Sequence, residues 1–255
     1  MIYYPIYLNS FYYYYKMSLS LGEKRLLKDV IYINKHPLTE QGIHYIHDSD
    51  NIKKGYALII GPEETIYSHG MYFFEFNYPD DYPFSPPKVL YLTNEKGVRF
   101  NPNLYRNGKV CISILNTWSG PQWSSCQTIS SILLTMTTLF HNKPLLNEPG
   151  LTEKHPSFLQ YNKIIRYSSI DVALISVLNQ KICAEMFSKF KDVVVEYVKR
   201  KKEAIKKDIL KIDEFLSDDK YTTIRINIYT TSIHCCKKGE LMELFKKSLK
   251  RLDGF

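Results

Sequence analysis

Apolar residues recur at helical spacing near the start of the chain and then change to the spacing of strands. The segment from Ser18 to Ile33 has helical periodicity, and Ser20 and Glu23 have the spacing of a capping box, which predicts a first helix. Four runs rich in aromatic and β-branched residues follow, each bounded by Gly, Pro or Asp. They predict a four-stranded antiparallel meander with strands at residues 42–47, 55–60, 71–78 and 88–93.

A rigid bend and a second helix are predicted beyond the third strand. Residues 79–87 contain four prolines, which excludes a central strand or a helix interior there. Further along, Thr128 has the chemistry of a helix N-cap and precedes an apolar stretch from Ile129 to Phe140. This pattern predicts a second, buried helix.

Helical spacing dominates the last third of the chain. It predicts helices at residues 156–167, 169 to about 207 and 241–252, with a short strand-like run at 222–229. We interpret this region as a mainly helical extension that packs on a preceding core domain. The predicted organisation is a tyrosine-rich N-terminal segment at residues 1–16, a core domain at 17–167 and the C-terminal extension at 168–255.

Charge adds little to this picture. The chain has 34 Lys and Arg residues against 26 Asp and Glu residues, a formal net charge of +8, and basic runs lie at residues 199–202 and 206–207. A solvated helix face explains such runs best, and an acidic protein surface is an open alternative. Nucleic acid binding is the weakest interpretation, because no recognised nucleic-acid motif accompanies the runs.

The cysteines indicate a reducing compartment. Five cysteines at irregular spacing do not suggest a disulfide framework, so we expect free thiols. The first residues lack the pattern of a secretory signal, and no apolar run reaches the ~18 residues that a membrane span requires. We therefore expect a cytoplasmic or nuclear location, or both, and no membrane association.

Cys111 is the candidate nucleophile. It follows an Asn-Pro-Asn turn that ends at Asn103 and a second turn at Asn107-Gly108, so a thiol and a polar partner are placed close together. The alternatives are a small buried hydrophobe at Cys111 and a turn-forming Asn103. No Gly-rich phosphate loop is present and His44, His47, His234, Cys235 and Cys236 lack tetrahedral spacing, so we expect no metal and no bound nucleotide.

Several motifs in this region resemble the ubiquitin-conjugating enzyme family. Tyr-Pro-Phe-Ser-Pro-Pro-Lys-Val at residues 82–89 resembles a signature of that family, and Phe-Asn-Pro-Asn at 100–103 resembles its Tyr-His-Pro-Asn turn. Asn-Gly-Lys-Val-Cys-Ile-Ser-Ile-Leu at 107–115 resembles the segment that bears the acceptor cysteine. The resemblance covers about residues 17–167 and implies the α+β fold of these enzymes, with an N-terminal helix, a four-stranded antiparallel meander and C-terminal helices.

A narrower resemblance concerns the long segment after the cysteine. Residues 115–123 and 147–150, followed by a helical tail, are similar to the large C-terminally extended enzymes of the Z type. They are also similar to the conjugating domain of the giant ligase that carries an inhibitor-of-apoptosis repeat. Minimal single-domain members of the family have a shorter stretch between the cysteine and the tryptophan.

The resemblance implies a thioester mechanism on these residues. An activating enzyme (E1) that has consumed ATP would pass ubiquitin, or a ubiquitin-like protein, to Cys111, which would transfer it to a lysine of a protein substrate. Asn103 would stabilise the oxyanion or hold the loop beside Cys111. Asn147 or Glu148 would position the incoming lysine, and the sequence leaves both open.

The resemblance also implies a surface for a ligase (E3), with two departures from the family pattern. The implied ligase-binding residues are Pro83 and Phe84 in the proline-rich loop and Ser124 and Ser125 in the opposing loop, where many members have Ser-Pro-Ala. Asn101 replaces the usual histidine; it can still hydrogen-bond the backbone but cannot ionise near neutral pH. The rival interpretation is a catalytically weak variant that acts as a scaffold for ubiquitin or a ligase.

Overall fold

The structure is a computed structural model that describes residues 19–94 and 97–252. The tyrosine-rich segment at residues 1–16 lies outside the described residues. The helices are α1 (Leu21–Lys35), α2 (Ile129–Thr137), α3 (Phe158–Ile170), α4 (Ala184–Lys189), α5 (Lys191–Asp213) and α6 (Glu240–Leu252). The strands are β1 (Ile43–His47), β2 (Lys54–Ile60), β3 (Met71–Asn77), β4 (Lys88–Tyr91), β5 (Thr222–Ile226) and β6 (Thr231–Cys235).

The helices of the core begin where their caps predict. The Ser20 side chain accepts a hydrogen bond from the Glu23 backbone N–H at 3.2 Å, and the Glu23 carboxylate accepts the Ser20 N–H at 2.8 Å. Thr128 caps α2 in the same way by accepting from the Ser131 N–H at 3.2 Å. Each cap satisfies backbone donors that the first turn of a helix leaves without a partner.

The predicted four-stranded antiparallel meander is confirmed. The strands pair in the order β1-β2-β3-β4, and the aromatic strand β3 is buried along most of its length. The segment at residues 108–109 pairs with β4: the Tyr91 N–H donates to the Gly108 carbonyl at 2.7 Å, and Leu90 forms a bridge with Lys109. This pairing fixes the position of Lys109, which lies two residues before Cys111.

The prediction of one long helix from residue 169 to about 207 is wrong. The helix that starts as α3 continues through a π-helical turn at Asp171–Ser176, so the predicted domain boundary at 167/168 lies inside a continuous helical segment. It ends near Gln180, and both Gln180 and Cys183 have positive φ values, of 54° and 51°, which a helix interior does not allow. The break redirects the chain, so that Phe190 packs against Phe73 of the sheet at 5.9 Å between ring centroids.

The extension also contains a hairpin that the sequence did not predict in full. The predicted strand-like run ends at Ile226, and β5 pairs antiparallel with β6, a strand that we did not predict. The turn between them contains Tyr229 and Thr230 at φ values of 59° and 46°. Because this turn has neither Gly nor Pro, the usual sequence signal of a hairpin is missing.

The extension packs on the core, as predicted. The Tyr72 hydroxyl lies 2.8 Å from the Ser169 hydroxyl, and His69 Nδ1 lies 2.9 Å from the hydroxyl of Tyr197 on α5. His69 Nε2 is also 3.4 Å from the Asp208 carboxylate. A single hydrophobic cluster runs from the sheet into the extension, so the two regions share one core.

Candidate active site

Cys111 lies in a tight loop that its own backbone helps to close. Its N–H donates to the Asn103 carbonyl at 2.9 Å, and its Sγ donates to the Thr117 carbonyl at 2.6 Å. Thr117 is itself fixed, because its hydroxyl oxygen accepts the Ile112 N–H at 2.9 Å and donates to the Val110 carbonyl at 2.9 Å. The loop after the cysteine therefore folds back over the thiol.

The Cys111 thiol is buried. Cys111 is 3% exposed. Burial raises the pKa of its thiol, because a thiolate loses hydration there, whereas the positive charges of Lys109 and Arg99 and a hydrogen bond from Tyr105 act to lower that pKa. The thiol thus donates to the Thr117 carbonyl in its protonated form, and the charges of Lys109 and Arg99 act in the opposite direction by favouring the thiolate.

Asn103 locks the loop beside the sulfur. Its side-chain Nδ2 donates to the Cys111 carbonyl at 2.6 Å, so the two residues are joined by side-chain and backbone hydrogen bonds in opposite directions. The Asn103 Oδ1 is buried and has no hydrogen-bond partner among residues 19–94 and 97–252. This geometry matches the loop-holding role, and the oxyanion role stays a prediction.

Asn101 substitutes structurally for the usual histidine. Its Nδ2 donates to the Leu139 carbonyl at 2.8 Å, and its Oδ1 accepts the Asn103 N–H at 2.9 Å. The same oxygen accepts from Asn147 Nδ2 at 3.3 Å. The expected backbone hydrogen bonds are confirmed, and Asn101 connects the turn before Cys111 to the loop that carries Asn147.

The structure gives Asn147 and Glu148 different surroundings. Asn147 contacts Asn101 and also His141, whose Nε2 is 3.1 Å from the Asn147 Oδ1. Glu148 instead accepts a hydrogen bond from the hydroxyl of Tyr229 at 2.5 Å. Asn147 is therefore part of the network that shapes the cysteine turn, whereas Glu148 presents a carboxylate to the C-terminal hairpin.

Tyr229 and Arg99 are site residues that sequence reasoning missed. The Arg99 guanidinium lies between two aromatic rings, 4.1 Å from the centroid of Tyr105 and 4.1 Å from that of Tyr229. Tyr229 belongs to the extension, far from Cys111 in sequence, so no local spacing pointed to it. The hairpin tip helps to line a surface pocket of about 260 Å³, together with Arg99, Tyr105, Arg106 and Asn107.

The two loops of the predicted ligase surface lie together. Trp123 Nε1 donates to the Pro83 carbonyl at 2.7 Å, which joins the loop after the cysteine to the proline-rich loop. Phe84 is 81% exposed, and Ser124 and Ser125 are exposed as well. The structure thus presents a large apolar side chain between polar neighbours, and its use by a ligase stays a prediction.

The histidines that we considered as metal ligands have other contacts. His47 lies 2.8 Å from the Tyr45 hydroxyl and 2.8 Å from the Ile52 carbonyl, and burial lowers its pKa. His234 contacts the Thr223 hydroxyl at 3.0 Å. Among the residues that the structure describes, no group of three possible metal ligands is found, and no helix there is long and apolar enough to cross a membrane.

Known proteins match the chain over the region that contains this site. A family model described as ubiquitin-conjugating enzyme matches residues 25–165, which is more than half of the chain. Ubiquitin-conjugating enzyme E2 Z from Danio rerio is 43% identical over 178 residues, covering 68% of this chain and 54% of that protein. The Homo sapiens E2 Z is 44% identical over 160 residues, covering 62% and 45%.

A second kind of relative matches more weakly. The Homo sapiens dual E2 ubiquitin-conjugating enzyme/E3 ubiquitin-protein ligase BIRC6 is 34% identical over 196 residues, covering 69% of this chain and 4% of that protein. These matches confirm the resemblance to the Z type and to the giant ligase. The chain spans about half the length of the E2 Z relatives. With the meander, the cysteine loop and the matched segment taken together, the chain belongs to the ubiquitin-conjugating enzyme family.

Proposed function

We propose that this chain is a ubiquitin-conjugating enzyme that carries ubiquitin as a thioester on Cys111. The observation that carries the proposal is the double connection between Asn103 and Cys111, in a loop that is fixed to the sheet through Gly108. In the loading step the Cys111 thiolate attacks the thioester carbonyl on the activating enzyme. The thiolate of that enzyme leaves, so one thioester is exchanged for another.

In the transfer step a lysine amine attacks the Cys111 thioester. The amide bond forms, the amine loses a proton and the Cys111 sulfur leaves as a thiolate, which the charges of Lys109 and Arg99 favour. Glu148 is the residue that we assign to positioning the lysine, because it is the charged one of the two candidates, whereas Asn147 belongs to the hydrogen-bond network of Asn101 and His141. ATP is consumed only by the activating enzyme, and the chain needs no cofactor of its own.

The partners that we propose follow from the same cycle. They are an activating enzyme, ubiquitin or a ubiquitin-like protein, a ligase and protein substrates with accessible lysines. The exposed Phe84, beside the joined loops of Pro83 and Trp123, is the feature that supports ligase docking. A reducing intracellular location, cytoplasmic or nuclear, suits a thioester carrier with free thiols.

A charging reaction tests the loading step. The chain is incubated with an activating enzyme, ATP and ubiquitin, and a reductant-sensitive adduct is expected. Cys111→Ala should abolish the adduct and Cys111→Ser should replace it with a reductant-stable ester, whereas Cys126→Ala, which changes an exposed cysteine, should load like the unmodified chain. Absence of an adduct with every activating enzyme tried would favour the scaffold interpretation.

A further inference from the structure

The tip of the C-terminal hairpin contacts Glu148, the residue that we assign to positioning the lysine. Tyr229 lies in the turn between β5 and β6, and its hydroxyl donates to the Glu148 carboxylate at 2.5 Å. A hydrogen bond of this length to an ionised group is among the stronger ones in proteins. The side chain that we assign to lysine positioning is thus held by a residue outside the segment that the family model matches.

The same tyrosine supports the surroundings of the thiol. Its ring packs on the Arg99 guanidinium, which packs in turn on the Tyr105 ring, at 4.1 Å in both cases. The charge of Arg99 acts to lower the pKa of the Cys111 thiol. A continuous series of contacts therefore runs from Glu148 through Tyr229 and Arg99 to Tyr105, six residues before Cys111.

The hairpin tip is fixed from a second direction. Arg106 Nη2 donates to the Tyr229 carbonyl at 2.8 Å and to the Thr231 hydroxyl at 2.8 Å. Arg106 lies in the segment between the Asn-Pro-Asn turn and Cys111, so the hairpin is attached to the cysteine loop itself. Tyr229 holds a positive φ of 59°, which a tyrosine adopts only where its surroundings maintain it.

We propose that Tyr229 is a positioning residue for the transfer step: the C-terminal hairpin holds the Glu148 carboxylate in the orientation that receives the acceptor lysine. The inference rests on the proposed function of Cys111. Without the Tyr229 hydroxyl, Glu148 is a loop side chain that can rotate among several conformers, and only a fraction of them orient the amine. The extension would therefore act on aminolysis, whereas loading involves no lysine acceptor.

Single-turnover discharge tests this separation of steps. The chain is loaded with ubiquitin, ATP is removed, and loss of the thioester is followed over a range of free lysine concentrations. Tyr229→Phe removes the hydroxyl and keeps the ring on Arg99, so it should load normally while its maximal discharge rate falls about tenfold. The lysine concentration at half-maximal rate should change little, because the hydroxyl orients the amine rather than binding it.

Two comparisons separate positioning from a general structural effect. Tyr221→Phe makes the same chemical change at an exposed position of the extension and should discharge at the unmodified rate. In a Glu148→Ala background, adding Tyr229→Phe should cause no further loss, because the partner of the hydroxyl is gone. A further loss of similar size in that background would overturn the inference.

The remaining outcomes also decide the matter. If the unmodified chain loads and Tyr229→Phe discharges at the same rate, the inference is wrong and the proposed function stands. Faster discharge would mean that the hairpin restrains Glu148 instead, and would equally overturn the inference. If the unmodified chain never loads, the proposed function fails and the inference fails with it.

Discussion

Replacing Asn101 by alanine should destabilise the folded chain through two backbone groups at once. Asn101 is completely buried, and it satisfies the Leu139 carbonyl at 2.8 Å and the Asn103 N–H at 2.9 Å. Alanine removes both hydrogen bonds while leaving the two backbone groups in place. The Asn103 N–H is then left without a partner, and the Leu139 carbonyl keeps only the hydrogen bond that it accepts from the His141 N–H at 3.2 Å.

The expected loss follows from the cost of such groups. A buried donor that is left without a partner costs about 1–3 kcal/mol and a lost hydrogen bond costs about 0.5–1.5 kcal/mol, so Asn101→Ala should lower the free energy of unfolding by roughly 3 kcal/mol. That is a large fraction of the roughly 5–15 kcal/mol that stabilises a typical domain. Loading of Cys111 should fall too, because Asn103 loses the contact that orients its turn.

Denaturant titration measures the effect, and the chain offers a matched control. Asn51 makes the same local contact in an exposed turn, where its Oδ1 accepts the Lys53 N–H at 2.9 Å. Asn51→Ala should cost less than about 1 kcal/mol, because water replaces the lost bond. A similar small loss for Asn101→Ala at an unchanged denaturant slope would refute the reasoning about buried groups.

Restoring a donor and an acceptor at position 101 should recover most of the loss. Asn101→His supplies both in one neutral ring, with one nitrogen that donates and one that accepts. We expect its free energy of unfolding within about 1.5 kcal/mol of the unmodified chain, as is usual for a tolerated change of shape in a core. A loss as large as that of Asn101→Ala would show that the size of the side chain, and not its hydrogen bonding, determines which residue is tolerated at position 101.

Two further predictions concern the extension and the ligase surface. A hydrogen bond from His69, with a second from Lys211, lowers the pKa of Asp208 to about 2, so its carboxylate stabilises the fold above the unfolded pKa near 4 and loses that contribution as the pH falls toward 2. As the pH falls across this window, the unfolding free energy of the unmodified chain should decrease by roughly 2 kcal/mol more than that of Asp208→Asn. The same decrease in both chains would contradict the prediction. Phe84→Ala should leave loading intact and change the unfolding free energy by less than about 0.5 kcal/mol, because the ring is 81% exposed. It should slow ligase-stimulated discharge several-fold, and equal stimulation by every ligase tried would contradict the assigned surface.

The core of the fold could be predicted because its determinants are local. The capping box at Ser20, the N-cap at Thr128 and the alternating aromatic strands act within a few residues, and the structure confirms the elements that they predict. The proximity of Asn103 to Cys111 was also readable, because two turns within eight residues leave the chain little freedom. The family resemblance was carried by the same short motifs.

The extension was predicted less well because long-range packing decides it. The helix break near Gln180 and Cys183 contains no Pro or Gly from which it could be predicted, and the tight turn at Tyr229 contains none either. Both conformations persist because the segments beyond them pack on the sheet and on the cysteine loop. Propensity alone does not contain that information.

The chain's own sequence determined the fold class and the turn that holds the candidate nucleophile Cys111, since these depend on neighbours along the chain. Only the tertiary structure decided that the thiol is buried against Thr117 and that Asn147 and Glu148 face different partners. It also brought Tyr229 from the C-terminal hairpin to Glu148, 81 positions away. The physical reason is that hydrogen bonds and packing act through space, and residues this far apart meet only after the whole core has formed.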